Sequence, residues 1–239
     1  MTVQEAILAQ VNGKLGRAAL YRALLDHNDW RVAKPVDSDV PTIMFGDAAR
    51  TPAIWTFSTE EAYQGACSRC AQGVIGAVSV VGSMVDVIVE LDPQVACWYI
   101  DPLSTIALRI LVDELPVVRM VARGMRLEAA LSERRYELAR EFGAYVVPYF
   151  GVLGQGHQVI TLPSAKGNMV VAFSGPDAVD AFLATGSDED RRNVNLIEVD
   201  GATLFGEVAA MASGVLLNAA GPRTFGFELP VCRSIATAG

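Results

Sequence analysis

The residues best suited to metal or redox chemistry are Cys67 and Cys70, which form a CxxC pair. A zinc site needs a second pair of ligands at suitable spacing, whereas Cys97, Cys232 and the two histidines are isolated in the sequence. A redox CxxC begins a helix, whose dipole lowers the pKa of the first thiol. This pair lies at the end of a helix predicted to start at Ser58. We therefore expect incidental thiols, no metal and no cofactor.

The glycine-rich segment Gly151–Gly156 superficially matches a nucleotide-binding loop, because it follows an apolar strand. A phosphate-binding loop must open into a helix, whose free N–H groups meet the phosphate. The residues that follow, Gln158–Leu162, are typical of a strand instead. We predict a β-hairpin turn here.

Acid–base chemistry has few candidate groups. A catalytic triad needs a base, and the chain offers only His27 and His157. His27 is predicted at a helix end and His157 in the hairpin turn, so both are expected to be solvated. The acidic clusters Glu60-Glu61 and Asp188–Asp190 are predicted to be a helix start and a solvated loop. We expect no enzyme.

The net charge of the chain restricts its partners. The formal net charge is −8, and an acidic surface repels nucleic-acid phosphates and anionic lipid head groups. We therefore expect neither a nucleic acid nor a membrane as partner. The N-terminus lacks the pattern of a signal peptide, which predicts a cytoplasmic protein with reduced cysteines.

The chain is unusually apolar for one without a predicted membrane span. Hydrophobic residues make up 51% and charged residues 19%, which predicts extensive burial between halves or between subunits. The most apolar stretch, Val74–Leu91, is interrupted by Gly, Ser and Asp residues. It predicts a pair of buried strands and not a spanning helix.

An internal repeat explains most of the sequence. The segment Trp55–Ala62 matches Val171–Ala178, and in both an apolar strand ends in Phe before a Ser placed to cap a helix. The match continues to Trp98–Pro102 and Leu216–Pro222, with displacements of 116 at Phe57 and 120 at Pro102. Two diverged copies of one module are therefore predicted.

The order of helices and strands within each copy predicts an α+β (mixed α/β) fold of two similar sheet-plus-helix modules in tandem. The predicted divisions are an extra helix over 1–14, a first module over 15–110, a packed connector over 111–126 with its helix broken at Pro116, and a second module over 127–239. In the second module, helices are predicted over 127–142, 175–185 and 202–212.

The second copy resembles the N-terminal domain of the SseB, or enhanced serine sensitivity, family of bacterial proteins. The resemblance rests on three segments: Val170–Phe182, Leu196–Phe205 and Gly214–Pro222. It departs at Ala219, where the family usually has proline, and it covers the first copy poorly. It implies a bacterial cytoplasmic protein, in a family with some secretion-related members, and no catalytic residues.

The leading hypothesis is a non-enzymatic protein that binds a protein partner or itself. Loops 101–105, 151–157 and 218–224 are candidate contact surfaces. The speculative binding residues are Trp55, Trp98, Asp101, Pro102, Asn218, Gly221 and Pro222. Two alternatives stay open: a small-molecule binder or enzyme with a pocket between the two modules, and an immunity protein that neutralises a toxin.

Overall fold

The computed structural model of the chain describes residues 1–34, 44–45, 52–70, 79–150, 158–221 and 223–238. The chain divides into two compact units, Met1–Ala122 (unit 1) and Arg123–Gly239 (unit 2). The division falls inside the predicted connector 111–126. Sheets and helices occur in each unit, which confirms the predicted α+β class.

Unit 1 begins with two helices and continues with strands interrupted by two further helices. Its elements are α1 (Val3–Val11), α2 (Arg17–Leu25), β1 (Trp30–Val32), β2 (Met44–Phe45), β3 (Pro52–Phe57), α3 (Glu60–Arg69), β4 (Ser79–Gly82), α4 (Val85–Val89), β5 (Cys97–Ile100) and β6 (Leu108–Leu111). The chain passes from unit 1 to unit 2 within α5 (Leu115–Ser132).

Unit 2 follows the same general order, and in both units a helix follows the last strand. Its elements are α6 (Tyr136–Glu141), β7 (Ala144–Phe150), β8 (Gln158–Val159), β9 (Thr161–Ser164), β10 (Gly167–Ala172), α7 (Pro176–Leu183), α8 (Asp188–Asn193), β11 (Val194–Asp200), α9 (Gly201–Thr203), β12 (Gly214–Leu217), β13 (Phe225–Glu228) and α10 (Leu229–Ala236). A π-helical turn (Leu204–Val208) and a 3-10 turn (Ala209–Met211) continue α9.

The sheets of the two units have the same topology. In unit 1 the strand order is β4-β1-β3-β5-β6, where β3 and β5 are parallel and the other neighbours antiparallel. In unit 2 an antiparallel bridge between Val146 and Phe173 joins β7 to β10, which gives the order β11-β7-β10-β12-β13. Here β10 and β12 are the parallel pair. Matching order and direction at these five strands support the repeat found in the sequence.

The sheet of unit 2 has apolar side chains on both faces, because strand residues point alternately to either side. One face carries Tyr145, Val147 and Val170, which pack with Phe205 and helix α10. The other face carries Val171 and Phe173, which pack against α7. Helix α7 has only eight residues, so it covers only part of its face.

Three predicted elements differ from the structure. Helix α5 is not broken at Pro116, because this proline lies in the first turn, where its missing N–H costs nothing. The predicted helix 127–142 is divided between α5 and α6, with Arg134 in a left-handed conformation (φ 58°). The predicted strand pair Val74–Leu91 has β4 followed by helix α4 in its described part.

The C-terminal and acidic segments also depart from expectation. Asp188–Asp190, predicted as a loop, begins helix α8, where acidic residues suit the positive helix N-terminus and Arg191 and Arg192 suit its C-terminus. Helix α10 was not predicted; it buries Cys232 and Ile235 against the sheet. The glycine-rich segment Gly151–Gly156 and His157 lie outside the described residues.

Candidate functional site

A buried hydrogen-bonded pair lies at the carboxyl ends of the parallel strands in unit 1. Asp101, which directly follows β5, accepts hydrogen bonds from the backbone N–H of Ser58 (2.7 Å) and from its hydroxyl (2.6 Å). The backbone N–H of Asp101 donates to the carbonyl of Thr56 (2.8 Å). Asp101 adopts a left-handed conformation (φ 46°) and is completely buried. This pair ties the end of β5 to the start of α3.

Unit 2 has the same tie built from different residues. Asn218, also buried and left-handed (φ 57°), accepts from the backbone N–H of Ser174 (2.9 Å) and donates to its hydroxyl (3.0 Å). The Ser174 hydroxyl donates to Glu128 (2.7 Å), a buried residue of α5. The structural counterpart of Asp101 is therefore Asn218, which corrects the sequence pairing of Pro102 with Pro222.

The two serines do not cap helices as predicted. The N-cap of α3 is Thr59, whose side chain accepts from the N–H of Ala62, and the N-cap of α7 is Gly175, without a side-chain bond. Ser58 and Ser174 instead serve the buried ties, at 4% exposure each. A serine whose hydroxyl donates to a buried carboxylate, out of reach of a substrate, stabilises the fold and is poorly placed to act as a nucleophile.

Asp101 is held in an environment that disfavours its charge. Burial raises the pKa of Asp101 above its ordinary value, while the hydrogen bonds from Ser58 and the nearby His27 ring act in the opposite direction. His27 was predicted to be solvated. It is half-buried, and its ring packs edge-on against Trp30 at 4.9 Å between centroids.

The tryptophans proposed as binding residues lie in the core of unit 1. Trp98 is completely buried, and its indole N–H donates to the Thr56 hydroxyl (2.8 Å). Trp55 is 6% exposed and packs against Tyr99 at 5.9 Å between ring centroids. Neither side chain is available to a partner in this structure. Their burial indicates that both tryptophans stabilise the sheet of unit 1.

The proposed turn residues are equally poor contact points. Pro102 is buried beside Asp101, and Gly221 is half-buried against Asn218. Pro222 lies outside the described residues. In the loop 101–105 the exposed apolar side chain is Leu103, at 43%.

The four thiols differ in exposure. Cys67 and Cys70, at the C-terminal end of α3, are half-buried, and Cys97 and Cys232 are buried. Burial raises the pKa of Cys70, and it raises that of Cys232 to about 11. In the described residues no three His, Cys, Asp or Glu side chains are grouped to hold a metal ion. No helix there has the length and apolar character to cross a membrane.

An apolar groove opens on the surface of unit 2, where α7 leaves its sheet face uncovered. Its volume is about 150 Å³, and its apolar lining comes from the ends of β7 and α7 and the start of β11. Phe150 is 44% exposed there. The apolar lining residues are Phe150, Ile160, Phe182, Leu183 and Val194.

The register of the strands explains why these side chains meet. Val194 lies directly opposite Phe150, and Leu196 lies opposite Pro148. Opposed residues of antiparallel strands share a face. Glu198 opposes Val146, which packs with the cluster under α7, so all these residues lie on the α7 face. Leu196, at 47% exposure, extends the apolar surface from the groove along β11.

Arg191 forms the polar wall of the groove. Its guanidinium donates to the backbone carbonyls of Leu183 (2.7 Å), Ala184 (3.2 Å) and Gly186 (3.2 Å), which lie at and just beyond the end of α7. It also contacts Asp188 at 3.3 Å. These bonds connect α8 to the end of α7.

Unit 1 carries charge at the corresponding position. Arg31 opposes Phe57 as Val146 opposes Phe173, so Arg31 is the counterpart of Val146. Arg31 pairs with Glu60 at 2.9 Å. Unit 1 therefore carries a charged side chain where unit 2 has Val146.

The sequence contained one signal for this surface. In β11 the neighbours Leu196 and Ile197 are both apolar, although they point to opposite faces of the sheet. Two apolar neighbours indicate that both faces of the strand are apolar, and because β11 lies at the edge of the sheet, one of these faces is exposed at Leu196.

Comparisons with known proteins add little. No protein-family model matches the chain, and no curated protein matches it. Among solved structures, the chain matches "Anabaena Tic22 (protein transport)" at 8% identity and a TM-score of 0.20, over 78% of this chain and 83% of that one. A TM-score this low carries no argument about fold or function.

Proposed function

We propose that this protein binds another polypeptide through the apolar groove of unit 2, and that it acts as a non-enzymatic interaction protein. The observation that carries the proposal is the exposed apolar surface of Phe150 and Leu196 beside α7. Contiguous exposed apolar surface with a polar rim is typical of interaction sites.

The size of the groove favours a protein partner over a metabolite. Pockets for small molecules are usually about 300–1,000 Å³. The groove, at about 150 Å³, accommodates one or two apolar side chains. Partners in protein interfaces insert such anchor side chains into small pockets, where a few residues supply most of the binding energy.

The energetics are consistent with this use. Burying a large apolar side chain completely contributes about 1.5–3 kcal/mol. Phe150 and Leu196 are each nearly half exposed, so covering both would contribute roughly half of that for each. The anchor side chain of the partner would contribute a comparable amount.

Peptide selection tests this proposal without knowledge of the natural partner. A phage-displayed library of random dodecapeptides is selected on the full chain, and the recovered peptides are measured against the variant Phe150→Asp. We expect binding to fall at least ten-fold, because the substitution removes the apolar surface of Phe150, and an inserted apolar side chain would have to desolvate the new carboxylate. Phe142→Asp is the matched control, since Phe142 is 70% exposed outside the groove lining. Peptides that bind wild type and Phe150→Asp equally would refute the proposal.

A further inference from the structure

Strand β11 forms an open edge of the sheet in unit 2. It pairs with β7 over all seven of its residues, from Val194 opposite Phe150 to Asp200 opposite Ala144. In the part of the chain that the structure describes, no strand pairs with its other side. An edge strand of this kind presents unpaired N–H and C=O groups to an added strand.

The other edges are shorter. Strands β4, β6, β9 and β13 have four residues each, and β2 and β8 have two each. On β6, Arg109 extends over the ring of Tyr99 at 4.6 Å, and a cation on an edge strand disfavours pairing with another chain. On β13, Glu228 forms an ion pair with Lys166. Among the described edges, β11 is the one long enough for a stable added ladder.

The side chains of β11 define what an added strand must carry. On the α7 face, Val194 and Leu196 are apolar, whereas Glu198 and Asp200 are acidic and exposed. On the other face, Ile197 and Val199 are partly buried against the core. A complementary strand therefore has apolar residues opposite the first part of β11 and basic residues opposite Glu198 and Asp200.

The neighbouring helix adds to the acidic character. Helix α8 carries three acidic residues, Asp188–Asp190, against two basic ones, Arg191 and Arg192, so its side chains add one net negative charge. The strand itself carries Glu198 and Asp200 and no basic residue. The charge near this edge thus favours a cationic segment over an anionic one.

We propose that the partner is an extended polypeptide segment, apolar with interspersed Lys or Arg residues, which adds to β11 as a further strand and places one apolar side chain in the groove. This inference rests on the proposed function and specifies its ligand. Strand addition combines main-chain hydrogen bonds, which supply affinity, with side-chain pockets, which supply specificity.

A blocked heptapeptide tests the proposal directly. The sequence Lys-Val-Lys-Val-Leu-Thr-Val is written to lie antiparallel to β11, with its lysines opposite Asp200 and Glu198. Its binding to the full chain is measured by fluorescence anisotropy, and amide hydrogen exchange is followed over Val194–Asp200. We expect slower exchange across this strand and weaker binding when glutamate replaces both lysines. A bound peptide that leaves exchange in β11 unchanged would overturn the proposal.

Two further arms separate strand addition from simple occupation of the groove. In one version of the heptapeptide every odd-numbered backbone nitrogen is N-methylated, and in a second version every even-numbered one. If the peptide pairs with β11 through main-chain hydrogen bonds, at least one version must lose binding, because its N-methyl groups replace the donors that face β11. The variant Glu198→Lys should weaken binding about ten-fold, since it replaces an attractive cross-strand pair with a repulsive one. It should bind the glutamate peptide better than wild type does. Glu207→Lys is the matched control, exposed and outside β11.

The outcomes distinguish the two proposals. Binding that depends on Phe150 but survives both N-methylated versions would retain the groove and overturn strand addition. Binding of neither the heptapeptide nor any library peptide would overturn both. A second copy of this chain is the other possible occupant of the β11 edge, and sedimentation of the free chain tests for it. If the chain forms a dimer that Glu198→Lys abolishes, and if the heptapeptide does not bind, the cationic-segment proposal is also overturned.

Discussion

Replacing Asp101 by alanine should destabilise unit 1 substantially. The substitution removes two hydrogen bonds from Ser58 to a carboxylate, at 2.7 and 2.6 Å, and leaves the buried N–H and hydroxyl of Ser58 without acceptors. Hydrogen bonds to charged groups contribute about 1.5–3 kcal/mol each. Alanine also fits the left-handed conformation (φ 46°) less well than aspartate.

The expected loss of unfolding free energy is the cost of the lost hydrogen bonds minus the gain from removing a buried charge. Relief of the buried charge offsets part of the loss, because burial already raises the pKa of Asp101. We expect Asp101→Ala to lower the free energy of unfolding by about 3 kcal/mol. Asp101→Asn should cost only about 1 kcal/mol, since the amide oxygen can still accept from the backbone N–H of Ser58, as Asn218 accepts from Ser174, and the amide nitrogen can donate to the serine hydroxyl, as it does in unit 2.

Urea unfolding followed by tryptophan fluorescence is the appropriate assay. All three tryptophans, Trp30, Trp55 and Trp98, belong to unit 1, so their fluorescence reports on that unit. Far-UV circular dichroism reports on both. An unfolding free energy of Asp101→Ala within about 0.5 kcal/mol of wild type, the usual range for surface substitutions, would contradict a stabilising role of the Ser58–Asp101 pair. Equal costs for the alanine and asparagine variants would also contradict this reasoning.

Wild type and Asp101→Asn should also differ in how their unfolding free energy depends on pH. Because the pKa of Asp101 is raised in the folded chain, folding favours its protonated form. The stability from this group is fully present below the ordinary pKa of 3.8 and is lost as the pH rises through the raised folded value. Asp101→Asn lacks this titration. The stability advantage of wild type over Asp101→Asn should therefore shrink as the pH rises from about 4 to about 7.

Three further predictions concern packing, thiol access and an ion-pair network. Gly201→Ala should destabilise the chain by more than about 2 kcal/mol in thermal or urea unfolding, because the added Cβ would lie 2.1 Å from the carbonyl oxygen of Ala139. Gly206→Ala, whose Cβ would meet its nearest atom at 3.8 Å, is the control and should be nearly neutral. A thiol reagent under native conditions should modify two cysteines rapidly and the other two only after unfolding; four rapid thiols would contradict the structure. The rapid pair is Cys67 and Cys70 and the protected pair Cys97 and Cys232. Tyr21→Phe should lower the unfolding free energy by about 1 kcal/mol, since the Tyr21 hydroxyl donates to Glu114 at 2.7 Å, and no measurable change would count against that bond.

The local pattern of the sequence predicted the repeated elements well. Strand β10 and helix α7 could be located because an apolar run ending in Phe173 is followed by a helical period, and the same pattern recurs after Trp55. The predicted helix break at Pro116 is wrong because the sequence does not show where the helix begins. A proline in the first turn is tolerated, whereas one in the helix interior breaks the helix.

The buried ties and the groove could not be predicted by local pattern. Ser58 lies 43 residues from Asp101, and Ser174 lies 46 from Glu128, so both ties depend on strand pairing and not on neighbours in sequence. Ser58 has the spacing of a capping residue, and only the fold shows that its hydroxyl points elsewhere. The groove depends on the short length of α7 and on the register of β11, neither of which the periodicity specifies.

The most direct test of the interaction account is the affinity of library-selected peptides for three proteins: wild type, Phe150→Asp and Phe142→Asp. If the groove beside α7 is the binding site, Phe150→Asp should lose at least ten-fold in affinity while Phe142→Asp binds as wild type does. Equal binding by all three proteins, or an equal loss in both variants, would contradict the assignment of the groove as the site through which this protein binds its partner.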